Sequence, residues 1–319
     1  MKIQEIARLA GVSTATVSRV FSHHPNIRDE VRAQVFTVAR SCGYHPRLSP
    51  KKRNVAIVAP YKAVYPIQSY VEMVVSELAH ELSGRGYRIE ILPLDNLEQL
   101  ERTQFCGAVA IGTDSSLFPE WEKKFASPLI VVDRDVPDGS REIFSVRSDE
   151  EQAMELAIGC LADSGCRRVG SILYGTPGAG NTAIRQTGIR RALRRHGLPC
   201  SERLIRFATE EEYVETVGKL LREEIDGLFC PGGNAGMVAA YALSLYGRRV
   251  PAEISLIASE RTVFSRYATP PQTTISQDYA AQAKAVADAL DARLAGQPFP
   301  QRTVIPYRLI LRDSVRPAR

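Results

Sequence analysis

The chain has 319 residues, 44% hydrophobic and 24% charged, enough for two or three domains with sizeable cores. No run approaches the roughly 20 apolar residues of a membrane span, and Glu5 and Arg8 sit where a secretory signal would be apolar, so no membrane partner is expected and the cytoplasm is the expected compartment. The net charge of +5 is uneven: residues 1–53 carry +7 and the remaining 266 sum to −2, the distribution of a module that meets a polyanion.

In chain order, residues 1–46 read as three short helices. Ile3, Ile6, Ala7, Leu9 and Ala10 recur at helical spacing, and Gly11 follows where a left-handed cap suits glycine. Ser13 is placed to cap a second helix, Thr14 to Phe21, which buries Val17 and Val20 and turns Thr14, Ala15, Thr16, Ser18 and Arg19 outward. Val31, Val35, Val38 and Ala39 share one face of a third helix. Two helices joined by a tight glycine turn, the second small and polar with a late arginine, form a helix-turn-helix, whose second helix fits the DNA major groove. Arg19 can then reach a guanine edge with two hydrogen bonds.

Only ten residues, His45 to Asn54, separate Tyr44 from the first strand, and Pro46 and Pro50 bracket three of them. Proline biases its predecessor away from helix, so no two-turn helix fits. Residues 47–54 are read as a short basic linker in which Arg47, Lys51, Lys52 and Arg53 hold phosphates; the plainer alternative is a solvated linker.

From residue 55 onward, apolar runs alternate with amphipathic stretches: VAIVA (55–59), RIEILPL (88–94), AVAIG (108–112), LIVVD (129–133), VGSILY (169–174), GLFCPG (227–232) and SLIAS (255–259). Such βα alternation implies doubly wound parallel sheets, with ligands beyond the carboxyl ends of the strands. GTPGAGNTA (175–183) lacks the Lys-Ser/Thr of a phosphate-binding loop, and no catalytic triad, zinc-protease or cofactor motif occurs. An enzyme is not expected, nor a cofactor, nor a metal. The six cysteines form no CxxC pair, so buried free thiols are expected.

KIQEIARLAGVSTATVSRVF, NIRDEVRAQV and GYHP together resemble the DNA-binding head of the lactose-repressor/galactose-repressor (LacI/GalR) family. The resemblance puts Thr14 and Ala15 at the two specificity positions, Arg19 at the base-reading arginine, and Ser13, Thr16, Ser18, Ser22 and Asn26 at positions touching phosphates or base edges. Ala15 can offer only apolar contact, and Arg28 stands where the family has a Ser/Thr cap. The body resembles the family's sensor in PLIVVDRDVP, SGCRRVGSILYG, RVPAEISLIASE, TPPQTTISQDY and YRLILRDSV. The fold so implied is an all-α helix-turn-helix head plus an α/β periplasmic-binding-protein-like sensor of two Rossmann-like lobes. The sensor spans residues 55–319, lobe 1 about 55–146 and 277–305, lobe 2 about 147–275 and 307–319.

The resemblance also implies effector residues in the interlobe cleft: Tyr65, Gln68, Asp133, Gln277 and Tyr279 persist, while Ala183 replaces a sugar-gripping arginine. Gly233 and Asn234 fall at or beside an Asn-Asp pair, and Glu260 at a late-strand aspartate. With that arginine-amide fork reduced, three readings stay open: a smaller or more apolar effector, an altered carbohydrate, or an empty site. For Asp133 and Glu260 a structural role is the alternative. The implied protein is a repressor that binds palindromic double-stranded operator DNA as a homodimer and is modulated by a small-molecule effector. Its dimer faces would be the helix with Tyr70, Val71, Val74, Val75 and Leu78 and the helix from Met237 to Leu245. The family's hinge segment, about twice as long as the one here, wedges an apolar residue into the minor groove. An effector-independent regulator is the alternative, and a solute-binding protein a remoter one.

Overall fold

The computed structural model describes residues 2–22, 24, 26–42, 44, 53–60, 69–93, 100, 105–112, 117–125, 127–178 and 181–317. The head holds three helices, α1 (Ile3–Leu9), α2 (Thr14–Phe21) and α3 (Asp29–Ser41). Ile6, Ala10, Val17, Val20, Val35 and Phe36 form its buried core, and Tyr44 packs against it. The Phe21 ring meets Phe36 edge-on at 5.6 Å and Tyr44 at 5.7 Å, so a single aromatic cluster closes a core too small to stand on aliphatic residues alone. Gly11 adopts φ +60 in the turn, a conformation costly for any residue with a Cβ. Arg28 precedes α3 without a side-chain cap, and Asp29 and Glu30 in its first turn supply favourable charge instead.

The chain divides into two compact units, Met1–Tyr65, Val71–Arg147 and Tyr279–Val304 forming one and Pro66–Tyr70, Ser148–Asp278 and Ile305–Arg319 the other. Gln277 therefore belongs to the second unit, not to the returning segment of the first.

The first lobe contains β1 (Asn54–Ala59), α4 (Tyr70–Gly84), β2 (Arg88–Pro93), β3 (Gly107–Ile111), α5 (Leu117–Lys124), β4 (Leu129–Val132) and β5 (Ile143–Ser148). The second holds α6 (Glu150–Asp163), β6 (Val169–Tyr174), α7 (Thr182–Arg195), β7 (Ile205–Ala208), α8 (Tyr213–Leu221), β8 (Gly227–Cys230), α9 (Ala235–Leu245), β9 (Ser255–Ser259), α10 (Thr262–Tyr267) and β10 (Thr273–Ser276). The chain then supplies α11 (Tyr279–Leu294) and β11 (Arg302–Ile305) to the first lobe and β12 (Arg308–Ile310) to the second. The sheet orders are β11-β5-β4-β3-β1-β2 and β12-β10-β9-β8-β6-β7. The β1–β2, β1–β3, β3–β4 and β4–β5 pairs are parallel, as are β6–β7, β6–β8, β8–β9 and β9–β10, while β12 runs antiparallel to β10.

Helices cover both faces of the second sheet, one through Met154, Ile158 and Leu193, the other through Val217, Leu220 and Leu243, which explains why its strands read as continuous apolar runs. Several strands stop earlier than their apolar runs: β3 before Gly112 (φ +64), β4 before Asp133 (φ +53) and β8 short of Gly232 (φ +88). Left-handed residues cannot continue a ladder, so the carboxyl ends break into loops there. The six cysteines are free; burial pushes the thiols of Cys106 and Cys230 up to about 12, leaving them protonated and unreactive.

Candidate nucleic-acid interface and sensor residues

The outward face of α2 is what sequence periodicity implies. Ser13, Thr14, Ala15, Ser18 and Arg19 are exposed, while Thr16 and Ser22 are half-exposed. The short side chains leave the helix slim enough for a major groove, and Arg19 is its one long donor. Ser13 Oγ accepts from Thr16 N at 3.0 Å and lies 2.9 Å from Thr16 Oγ1, so Ser13 caps α2 and the Thr16 hydroxyl is tied to that cap. Ser22 Oγ donates to the Arg19 carbonyl, and exposed Asn26 donates its backbone N–H to His24 Nδ1.

Of the basic linker, Arg47, Lys51 and Lys52 lie outside the described residues. Arg53 is described: its guanidinium stacks over the Tyr87 ring at 5.2 Å and donates to the Arg85 carbonyl at 3.1 Å. Tyr87 in turn donates its hydroxyl to Asp291 at 2.6 Å, and Asp291 accepts from Arg85 at 3.0 Å. A guanidinium stacked on an aromatic ring and donating to a carbonyl is held against the lobe.

At the strand ends, most polar residues expected to face an effector are held by neighbours. Asp133 is buried, and its Oδ1 accepts from Gln282 at 2.9 Å. Gln277 donates to Ser148 Oγ at 2.9 Å. Glu260 is buried and takes a two-pronged contact from Arg312, with Nη1 at 2.9 Å and Nη2 at 3.1 Å, as well as the Thr274 hydroxyl. Both carboxylates thus have partners within the chain. Ala183 is exposed on the first turn of α7, and Gly233 (φ +51) and Asn234 lead into α9. Tyr279 is half-exposed at the start of α11, and Tyr65 and Gln68 lie outside the described residues.

Sequence reasoning missed one heavily bonded group. Glu150, the first residue of α6, is fully buried and accepts from Arg185 Nε at 2.8 Å, Arg185 Nη2 at 2.7 Å, Asn181 Nδ2 at 3.1 Å and the Tyr307 hydroxyl at 3.2 Å. Burial alone would raise its pKa, but the Arg185 charge and these hydrogen bonds outweigh burial and hold the carboxyl below the usual glutamate value. Arg185 also lies against the loop after β8, where a Cβ on Gly232 would come within 2.5 Å of Nη1.

Residues 2–47 match the family model described as bacterial regulatory proteins, lacI family, and residues 158–315 match the periplasmic binding protein-like domain. The chain belongs to the LacI family. The match is end to end for several relatives. The HTH-type transcriptional regulator GalR of Escherichia coli is 26% identical, with 98% of this chain and 95% of GalR aligned. DegA of Bacillus subtilis is 28% identical, over 99% of this chain and 98% of DegA. Among solved structures, the lac repressor dimer bound to operator and an anti-inducer superposes with a TM-score of 0.72 at 19% identity, covering 99% of each chain. The CelR–cellobiose complex gives 0.70 at 23%, covering 98% of this chain and 99% of CelR. This LacI-family protein is thus a DNA-binding transcriptional regulator with a two-lobed periplasmic-binding-protein-like body, and no helix among the described residues is long and apolar enough to cross a membrane.

Two helices of this LacI-family chain carry apolar surface. On α9, Met237, Tyr241 and Leu245 are exposed at 44%, 62% and 61%, and their four-residue spacing sets them in one ridge. On α4, Val74 and Leu78 are buried, while Tyr70, Val71 and Val75 stay half-exposed.

Proposed function

We propose that this regulator represses transcription from the cytoplasm by holding a palindromic operator as a homodimer, without catalytic chemistry of its own, and that a small uncharged molecule at the carboxyl ends of its sensor strands modulates it. The exposed face of α2 carries the DNA part: Thr14, Ala15 and Arg19 read bases, while Ser13, Thr16, Ser18, Ser22 and Asn26 contact phosphates or base edges. One such head covers too little DNA for operator-level affinity. The α9 ridge, an exposed apolar row on a helix otherwise packed by Ala239, Ala242 and Leu243, supports pairing of two chains. Selection of bound fragments from random DNA tests this: two inverted half-sites are expected, and a single unrepeated site would defeat the dimer.

For the linker, Arg47, Lys51, Lys52 and Arg53 are the proposed phosphate holders, in a joint too short for a minor-groove wedge. Operator affinity should then fall steeply with salt and the DNA stay nearly straight; a sharp central kink in circular-permutation gel shifts would refute it.

For the effector, relatives named as a sucrose operon repressor and as a regulator in complex with cellobiose favour a carbohydrate. Glu150 and Glu260, each ion-paired within the chain, favour one without charge. The same pairing also supports a second reading, a regulator that answers to no small molecule. A thermal-shift screen of neutral sugars separates them, since a ligand at 100 times its Kd adds about 2.7 kcal/mol of stability.

A further inference from the structure

Four donor atoms from two separate stretches of the second unit converge on one carboxylate supplied by a third. Asn181 and Arg185 lie at the start of α7, Tyr307 lies between β11 and β12, and the carboxylate belongs to Glu150 at the start of α6. A partly buried guanidinium approached edge-on, flanked by an amide and a phenol, is how proteins hold the carboxylate or phosphate of a ligand. Here the anion is supplied by the chain. The neighbourhood fits a ligand-facing place: Arg185 Nη1 lies against Gly232, just past the carboxyl end of β8, where ligands of parallel sheets bind. Tyr307 further ties the cluster down, because its backbone N–H donates to Gln152 Oε1 at 2.7 Å.

We infer that Glu150 is a built-in anion: it fills, from within the lobe, an anion-holding subsite made by Arg185, Asn181 and Tyr307, and thereby sets the specificity of the sensor against anionic effectors. The inference deepens the proposed effector reading and rests on it for its biological meaning, but the receptor itself can be tested without any effector. A phosphorylated or carboxylated ligand brought to this cluster would meet a guanidinium already neutralised and a second negative charge beside it, so it is repelled, whereas a neutral polyol meets no such penalty. Glu150 is a specificity-determining residue in this scheme, and Arg185 the group it shields.

The test removes the internal carboxylate and offers an external one. In Glu150→Ala, sodium acetate is expected to raise the melting temperature saturably, by several degrees over ionic-strength-matched chloride, while the wild type and Glu150→Ala/Arg185→Met show no saturable response. If Glu150→Ala fails to fold in chloride, the readout becomes recovery of its circular-dichroism signal in acetate. Acetate that leaves Glu150→Ala unchanged, or acts equally without Arg185, overturns the inference. Inorganic phosphate offered to the wild type is the complementary arm: no saturable shift is expected, and a saturable shift that Arg185→Met abolishes would overturn the exclusion of anions. Failure of every neutral sugar to bind would remove the effector reading and leave the acetate result standing.

Discussion

Arg185 grips both carboxylate oxygens of Glu150, from Nε at 2.8 Å and from Nη2 at 2.7 Å, although the two residues are 35 positions apart. Removing one member of a buried pair leaves the other charge uncompensated, at a cost of about 3–5 kcal/mol. Arg185→Met should therefore lower unfolding stability in urea by roughly that amount. The double variant Glu150→Gln/Arg185→Met should lose clearly less than the two single losses added together. Additive losses would mean the pair is not coupled.

The same pair predicts the pH profile. Glu150 is held below the ordinary glutamate pKa in the folded state, so its contribution is fully present above the unfolded value of about 4.3 and is lost as pH falls through the folded one. The stability gap between wild type and Arg185→Met should be widest near pH 6–7 and narrow towards pH 3. A gap independent of pH would show that the effect is packing alone.

On the DNA side, Arg19→Ala should cost about 1–3 kcal/mol of discrimination at one base pair of each half-site while leaving thermal stability nearly unchanged, since the side chain is exposed. Ser13→Ala should behave differently. Its oxygen caps α2, so about 1 kcal/mol of head stability goes with it, and operator titration would show weakening at every sequence alike.

Tyr87→Phe removes the hydroxyl that meets Asp291 at 2.6 Å and keeps the ring beneath Arg53. A stability loss of about 1 kcal/mol is expected. Tyr87→Ala removes the ring as well, and tryptic cleavage after Arg53 should then become several-fold faster than in the wild type, as followed by mass spectrometry. Unchanged cleavage in Tyr87→Ala would mean that the stack does not restrain the joint.

Gly236 lies in the first turn of α9, where an added Cβ would come within 2.4 Å of the Ala258 Cβ and 2.9 Å of Gln272 Oε1. Ala258 is fully buried on β9 and has no side-chain freedom with which to retreat. Gly236→Ala should thus cost about 1–3 kcal/mol by overpacking, measurable by urea denaturation, whereas alanine at exposed Gly247 would reveal only the penalty of its φ of +66.

What could be seen in the sequence was mostly local. Gly11, Ser13 and the Val17–Val20 spacing defined α2 because capping and helical period are read within a few residues. β5 and β10 escaped notice because Ser145, Arg147, Thr273 and Thr274 break their apolar runs. In the fold those hydroxyls have distant partners, Ser145 with the Arg134 carbonyl and Thr273 with the Arg312 carbonyl. Glu150 was invisible for the same reason: within DEEQ it looks like one more acidic residue at a helix start, and only the folded chain brings Arg185, Asn181 and Tyr307 to it. The Arg53 stack was invisible because charge alone does not reveal an aromatic ring 34 residues later.

Tyr44 is stacked in the head's core and Arg53 on the first lobe, which leaves residues 45–52 as the whole leash between two fixed posts. From Tyr44 to Arg53 that is nine steps along the chain, which at full stretch reach at most about 32 Å, whatever path they take. Operator architecture inherits that ceiling: base pairs inserted between the half-sites can be accommodated only while both leashes have slack, so binding should end abruptly at a limiting spacer length rather than fade.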